Sequence, residues 1–229
     1  MLKTTLQFLI VFILLGANPL TAQPGIKAGL SLSALQSSQE DFRPFLGYEV
    51  SWVQHGTSNP VLGGDAGMFY TFKLSDAFDF ETGLFYTLRG YQFDQTPLYN
   101  TSYSLRINYL ELPVILKYIL PIDWSFRPLI SAGPFAALKL GSQKTIRISD
   151  AETTGSVSGV NPLDYGIVFG VGAEFDAWNG QIIIDLNFNW GLANVMTQPD
   201  NFIGLPDDPG TVKTRAVILM TGYRFNTDW

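Results

Sequence analysis

The sequence has no cysteine and a single histidine, His55, in 229 residues. Without cysteine there is no disulfide, no thiolate nucleophile and no cysteine-ligated metal site. One histidine cannot build a His-rich metal centre. Charged residues make up 15% of the chain, against about a quarter in an ordinary soluble domain. The formal net charge is −6, and no basic stretch is present to neutralise phosphates, so nucleic acid is excluded as a partner. Beyond the first segment there is no apolar run of about 18 residues, so no transmembrane helix is expected.

Aromatic residues reach 14%, there are 22 glycines, and the mean hydropathy is +0.14. A chain rich in aromatics, poor in charge and free of long apolar runs suits a membrane β-barrel, whose spanning strands alternate. The N-terminus reads as an export signal. Lys3 is the basic start, Leu6–Leu15 is the apolar core, and Gly16, Asn18 and Pro19 break it. Thr21-Ala22-Gln23 offers a small-residue cleavage site, with the cut after Ala22 or Gln23. The expected division is a signal peptide over residues 1–23 and a barrel domain over 24–229. The apolar core is too short to serve as a membrane anchor, and with no cysteine after it a lipoprotein anchor is excluded.

From Gly25 onward the hydrophobic period is two, which is the period of a strand. In Phe78–Tyr91, Phe78, Phe80, Thr82, Leu84, Tyr86 and Leu88 share one face. Asp79, Glu81, Gly83, Thr87 and Arg89 share the other, with Phe85 the apolar exception. In Gln181–Gly191, Ile182, Ile184, Leu186, Phe188 and Trp190 oppose Asp185, Asn187 and Asn189. Leu163–Phe175 and Asn108–Leu120 repeat the pattern.

Eight strands follow: Gly25–Leu35, Gly63–Leu74, Ala77–Phe93, Tyr103–Leu120, Trp124–Leu140, Leu163–Asp176, Gly180–Ala193 and Val212–Phe225. Short turns at Ser75-Asp76, Pro121-Ile122-Asp123 and Ala177-Trp178-Asn179 alternate with long polar loops at Gln36–Leu62, Asp94–Ser102, Gly141–Pro162 and Asn194–Thr211. Short turns at one end and long loops at the other is the outer-membrane arrangement, and an even strand number puts both termini on the periplasmic side. The expected fold is therefore all-β: a transmembrane antiparallel up-and-down barrel of about eight strands. The segment Phe45–His55 (FLGYEVSWVQH) falls where only a loop is expected and reads either as an extra hairpin above the membrane or as a true strand that would change the count.

A soluble eight-stranded barrel would hide its apolar face inside. Here the other face carries charges and glycines in strand after strand, so the apolar face must meet lipid. Tyr70, Phe72, Phe78, Tyr118, Trp124, Phe126, Trp190, Tyr223 and Phe225 would then form interfacial girdles.

The inward set contains Lys27, Lys73, Arg89, Lys117, Arg127, Lys139 and Arg224 against Asp65, Asp79, Glu81, Glu111, Asp164, Glu174 and Asp185. The two signs balance. An eight-stranded barrel is only wide enough for its own side chains, so the lumen is expected to be plugged by paired charges. Glu81, Arg89, Glu111 and Lys117 are the candidates for a mid-barrel network. A one-signed lining would instead have suggested an ion-selective pore.

No catalytic, cofactor or metal site is expected. His55 lies near Ser51, Ser58 and Asp65, but a hydrolytic arrangement needs a base aligned between nucleophile and acid, and this is ordinary loop composition. Gly155-Ser156-Val157-Ser158-Gly159 matches a hydrolase elbow in letters only, without the strand and helix that elbow requires. Asp207-Asp208, near Asp200, reads as a solvated acidic loop rather than a Ca²⁺ site. Gly63-Gly64, Gly170 and Gly172 lack the following helix that a phosphate loop needs, and fit close packing in a curved sheet.

Taken together, GIKAGLSLSAL (Gly25–Leu35), GLFYTLRGYQF (Gly83–Phe93), YLELPVILKY (Tyr109–Tyr118), SAGPFAALKL (Ser131–Leu140), YGIVFGVGAEF (Tyr165–Phe175), NWGLANV (Asn189–Val195) and TGYRF (Thr221–Phe225) occur in an order that resembles the PorT-like "porin family" barrels of the Bacteroidota. The resemblance implies outer-membrane location and, for some members, association with secretion and gliding machinery. It defines no site residues. The expected role is structural or interaction-based in the cell envelope. The expected partners are outer-membrane lipid and envelope proteins, with a small solute only if the barrel is a pore. The alternatives are a small-solute porin and, behind it, an outer-membrane hydrolase or acyltransferase using His55.

Overall fold

The computed structural model describes residues 22–37, 59–95, 101–148, 151–157, 159–196 and 211–226. Nine strands are present among them: β1 (Ala22–Ser37), β2 (Asn59–Lys73), β3 (Phe78–Gln95), β4 (Thr101–Ile119), β5 (Arg127–Ile148), β6 (Ala151–Ser156), β7 (Leu163–Ala177), β8 (Gly180–Gly191) and β9 (Val212–Phe225). Each of the eight long strands pairs antiparallel with its neighbours, β5 with β7, and β9 returns to β1. The pairing of β4 with β5 completes the circuit, giving the closed eight-stranded barrel that the alternation predicts. Closure removes the unpaired edges that an open sheet would expose.

The alternation is realised as burial. On β2 the pattern runs strictly between buried and exposed from Val61 to Ala66. Leu30, Met68, Leu138 and Leu219 point outward and are 62%, 66%, 56% and 56% exposed. An apolar belt of this extent around the eight long strands has no counterpart on a soluble monomer. At the short-turn end, aromatic rings touch around much of the circumference. Phe72 meets Phe80, Phe78 meets Tyr118, Trp124 meets Phe126, Phe126 meets Phe175, and Tyr223 meets Phe225, at centroid distances of 5.0–5.9 Å. This is the periplasmic girdle. Trp190 and Tyr165 stand toward the other end, half exposed.

Several boundaries differ from those read in the sequence. Trp124 lies in the turn, and β5 starts at Arg127. β1 and β2 extend outward to Ser37 and begin at Asn59. The largest correction concerns Gly141–Pro162, expected to be loop. Here β5 continues to Ile148, and β6 pairs back on it from Gln143↔Ser156 to Ile148↔Ala151. The outer ends of β3 and β4 pair beside it, from Gly90↔Arg106 to Gln95↔Thr101. The result is a four-stranded sheet standing beyond the barrel. From Gln143 to Arg147 on β5 and along β6 no side chain is buried, so the apolar period that marks the spanning strands is absent there, while Tyr91 on β3 and Leu105 on β4 stay buried. Arg147 donates to Glu152 at 2.7 Å across the β5–β6 pair, and this hydrogen bond raises the Arg147 pKa. Phe45–His55 lies outside the described residues.

Candidate functional site in the barrel lumen

The inward side chains form two charge groups. The first sits toward the periplasmic end. Lys27 on β1 contacts Glu81 on β3 directly and Asp185 on β8 at 2.8 Å. Lys117 on β4 lies 2.6 Å from Glu81 and 3.9 Å from both Asp185 and Glu174. Arg224 on β9 grips Glu174 with two donors, at 3.0 and 2.8 Å, and reaches Asp79 at 3.8 Å. Gln181 accepts a further bond from Arg224, and Arg127 approaches Glu174 at 3.3 Å from the mouth. Four cations thus meet four carboxylates drawn from seven strands. The forked geometry of Arg224 on Glu174 is the strong form of this contact.

The second group is smaller and nearer the outer end. Arg89 donates to Glu111 at 2.8 Å and stands 3.8 Å from Asp65. Asn189 donates to the other Glu111 oxygen at 3.1 Å, and Thr214 donates to Asp164 at 2.7 Å. Between the groups lies a cavity of about 30 Å³ lined by Lys27, Asp65, Glu81, Thr87, Glu111 and Asn189, among others. That is room for about two waters.

The four residues singled out in the sequence therefore fall into two pairs, Glu81–Lys117 and Arg89–Glu111, one in each group. Among the described residues no ion pair joins one group to the other. Lys27, Asp185, Glu174 and Arg224 belong to the same arrangement and are buried to the same degree. Parity along each strand had placed them inward, but register between distant strands, which sequence alone does not supply, decides who meets whom. Lys73 is a correction. Its side chain is 59% exposed and pairs with Asp76 in the β2–β3 turn at 3.0 Å, because it lies at the last position of β2, beyond the lumen. Lys139 bonds the Val160 carbonyl at 2.5 Å near the outer rim rather than a carboxylate.

The lumen also holds apolar side chains that the two-face reading underweights. Phe69, Phe85, Ile183, Ala216, Ile218 and Met220 pack together inside, and the Lys27 ammonium lies 4.3 Å over the Phe69 ring. At the outer strand ends Leu35, Tyr91, Ile107, Tyr109, Val195 and Val212 belong to a second buried cluster. Val195 and Val160, from the connections beyond β8 and β6, help close it. Phe85, the exception in the sequence pattern, is thus a lumen residue.

The period-two glycines make room for the charges. A methyl group on Gly172 would collide with Asp185, and one on Gly170 with Asn187 and Ser131. Gly172→Ala is expected to push Asp185 off Lys27 and Lys117 and cost about 1–3 kcal/mol, as overpacking does. Gly64, whose added methyl would meet nothing within 4 Å, should change stability by less than about 0.5 kcal/mol as Ala. Urea unfolding in detergent micelles measures both, and equal effects would contradict this account of the glycines.

His55, Ser51, Ser58, Asp200, Asp207, Asp208 and Ser158 lie outside the described residues. Gly155 and Ser156 sit on the exposed β6 edge, with no helix following. Among the described residues no group of three acidic or histidine side chains is arranged to hold a metal ion.

A lipid-facing exterior ringed with aromatics, a closed antiparallel wall and a charged, buried interior define an integral outer-membrane β-barrel. Residues 12–197 match the family model described as "Outer membrane protein beta-barrel domain", and the chain belongs to that family. Among solved structures it is similar in fold to Ail, the attachment invasion locus protein of Yersinia pestis, at 14% identity, covering 89% of this chain and 99% of that one, with a TM-score of 0.40. Neisserial surface protein A matches at 12% identity, 90% and 98% coverage and a TM-score of 0.40. The outer membrane protein OprG from Pseudomonas aeruginosa matches at 11% identity, 91% and 98% coverage and a TM-score of 0.42. No curated protein matches the chain.

Proposed function

We infer that this barrel is a non-enzymatic component of the cell envelope, of the PorT-like kind, with a structural or interaction role. The single observation that carries the reading is the lumen. Charge pairs and apolar clusters fill it from the periplasmic mouth to the outer strand ends. A cavity of about 30 Å³ is far below the roughly 300 Å³ or more of a small-molecule pocket. A solute path would need both groups to separate. Buried, paired charges of this kind are held at high cost unless they stay together, which sets the porin reading second.

Export depends on a signal peptide cut after Ala22 or Gln23, so the mature barrel begins at the second or third residue of β1. Contact with outer-membrane lipid occupies the wall. Contact with envelope proteins, including a secretion assembly, falls to the surface beyond it, where β3–β6 form the projecting sheet. The test is photo-crosslinking in intact cells with a reactive residue placed at Thr153 or Thr154 on exposed β6. A discrete protein adduct is the expected outcome. Lipid adducts alone, from both positions, would remove the interaction role and leave only a membrane scaffold.

A further inference from the structure

We propose that Lys213, Arg215 and Trp190 form a site on the outer rim of the barrel for the phosphate of an outer-leaflet lipid. On β9, Val212, Thr214 and Ala216 are buried in the lumen, so Lys213 and Arg215 point out of the wall. They stand two residues apart on one face, a separation of roughly 7 Å along the strand, which one phosphate can bridge. The Arg215 guanidinium lies 4.7 Å over the Trp190 ring on β8. Its Nη1 donates to the carbonyls of Gly191 and Thr214 at 2.7 and 2.8 Å. These three contacts hold the head in place and leave Nη2 and Nε as donors for an anion.

The depth fits a headgroup. Arg215 and Phe225 are ten residues apart on β9, and Phe225 belongs to the periplasmic girdle. On a tilted strand that spacing spans about 25 Å, the height of the apolar band. Arg215 therefore sits where hydrocarbon gives way to headgroups on the outer side, at the level of Trp190.

The surroundings fit a lipid rather than a free anion. Ala34 on β1 pairs with Arg215, and Gln36 with Lys213. On the β1 side of β9 the neighbour of Arg215 is thus a small residue and that of Lys213 an exposed glutamine, so nothing bulky or acidic flanks the two cations there. Immediately below on the same face Val217, Leu219, Leu32 and Leu30 are all exposed, a surface for acyl chains. Along these three strands the sign is also one-sided. The carboxylates of β8 and β9 reduce to Asp185, which faces the lumen, and β1 has none. Juxtamembrane cations are worth about 1 kcal/mol each toward anionic headgroups, or about fivefold in affinity.

The test uses the full mature chain, refolded into nanodiscs of neutral phosphatidylcholine, with heat-modifiable gel mobility to verify folding of every variant. Binding of lipid A, of the same lipid stripped of its phosphates, and of inorganic phosphate is read by native mass spectrometry. Lipid A should bind the unaltered chain. The double variant Lys213→Gln/Arg215→Gln should bind it about thirtyfold more weakly, with the dephosphorylated lipid weak on both. Lys213→Gln alone leaves the Arg215 backbone contacts intact and should lose about fivefold. Arg106→Gln, an outward cation on β4, should leave binding unchanged. Undiminished binding by the double variant, an equal loss in Arg106→Gln, or inorganic phosphate competing as well as the lipid would each overturn the proposal.

Discussion

Replacing Lys117 with Met is expected to destabilise the folded barrel by about 3–5 kcal/mol, the cost of breaking a buried ion pair from one side. Lys117 is 1% exposed and sits among three carboxylates, 2.6 Å from Glu81 and 3.9 Å from Glu174 and Asp185. Without it, Lys27 alone must serve both Glu81 and Asp185. Arg89→Met should behave similarly, since Arg89 is the cation that faces both Glu111 and Asp65. The double variant Glu81→Leu/Lys117→Met should cost less than the sum of its parts, by a coupling of about 0.5–3 kcal/mol. Urea unfolding in detergent micelles measures the series. A loss under about 1 kcal/mol in the single variants is what solvent-screened pairs show, and it would mean that water fills the lumen.

The second large effect belongs to the wall. Leu84 is 49% exposed, on β3 between the Phe78 end and the outer rim. Leu84→Arg places a charge near mid-bilayer and should cost about 2–4 kcal/mol. Thr87 on the same strand is 2% exposed and faces the cavity with Asp65 and Glu111. Thr87→Arg would bring a cation toward two carboxylates, yet the cavity is too small for a guanidinium, so its cost comes from overpacking. The two variants separate in bilayers of different thickness. The Leu84→Arg penalty should rise with hydrocarbon thickness, and the Thr87→Arg penalty should not. The same dependence for both would contradict the assignment of faces.

The wall was legible because lipid enforces it. Outward positions within the apolar band, such as Leu30 on β1, Met68 on β2 and Leu219 on β9, must suit lipid, so parity survives in the sequence as a period of two. Beyond the membrane that constraint ends. Gln143–Arg147 and Ala151–Ser156 bury no side chain on either face, lose the period, and read as loop although they pair as a hairpin. The lumen was legible by composition and not by contact. Glu81 and Lys117 are inward by parity, but their meeting with Lys27, Asp185 and Glu174 depends on register and shear around the closed barrel. Lys73 shows the same limit at a strand end, where parity points inward and the lumen has already stopped. The Arg215–Trp190 contact rests on the register of β8 against β9, which no single strand reveals.

The central claim is that the lumen is closed. Single-channel conductance of the refolded, heat-modifiable protein in a planar bilayer tests it most directly. A folded barrel that stays electrically silent is the predicted result. A steady, reproducible conductance step would show that ions pass Lys117 and Arg89, and would put the porin reading in place of the plugged scaffold.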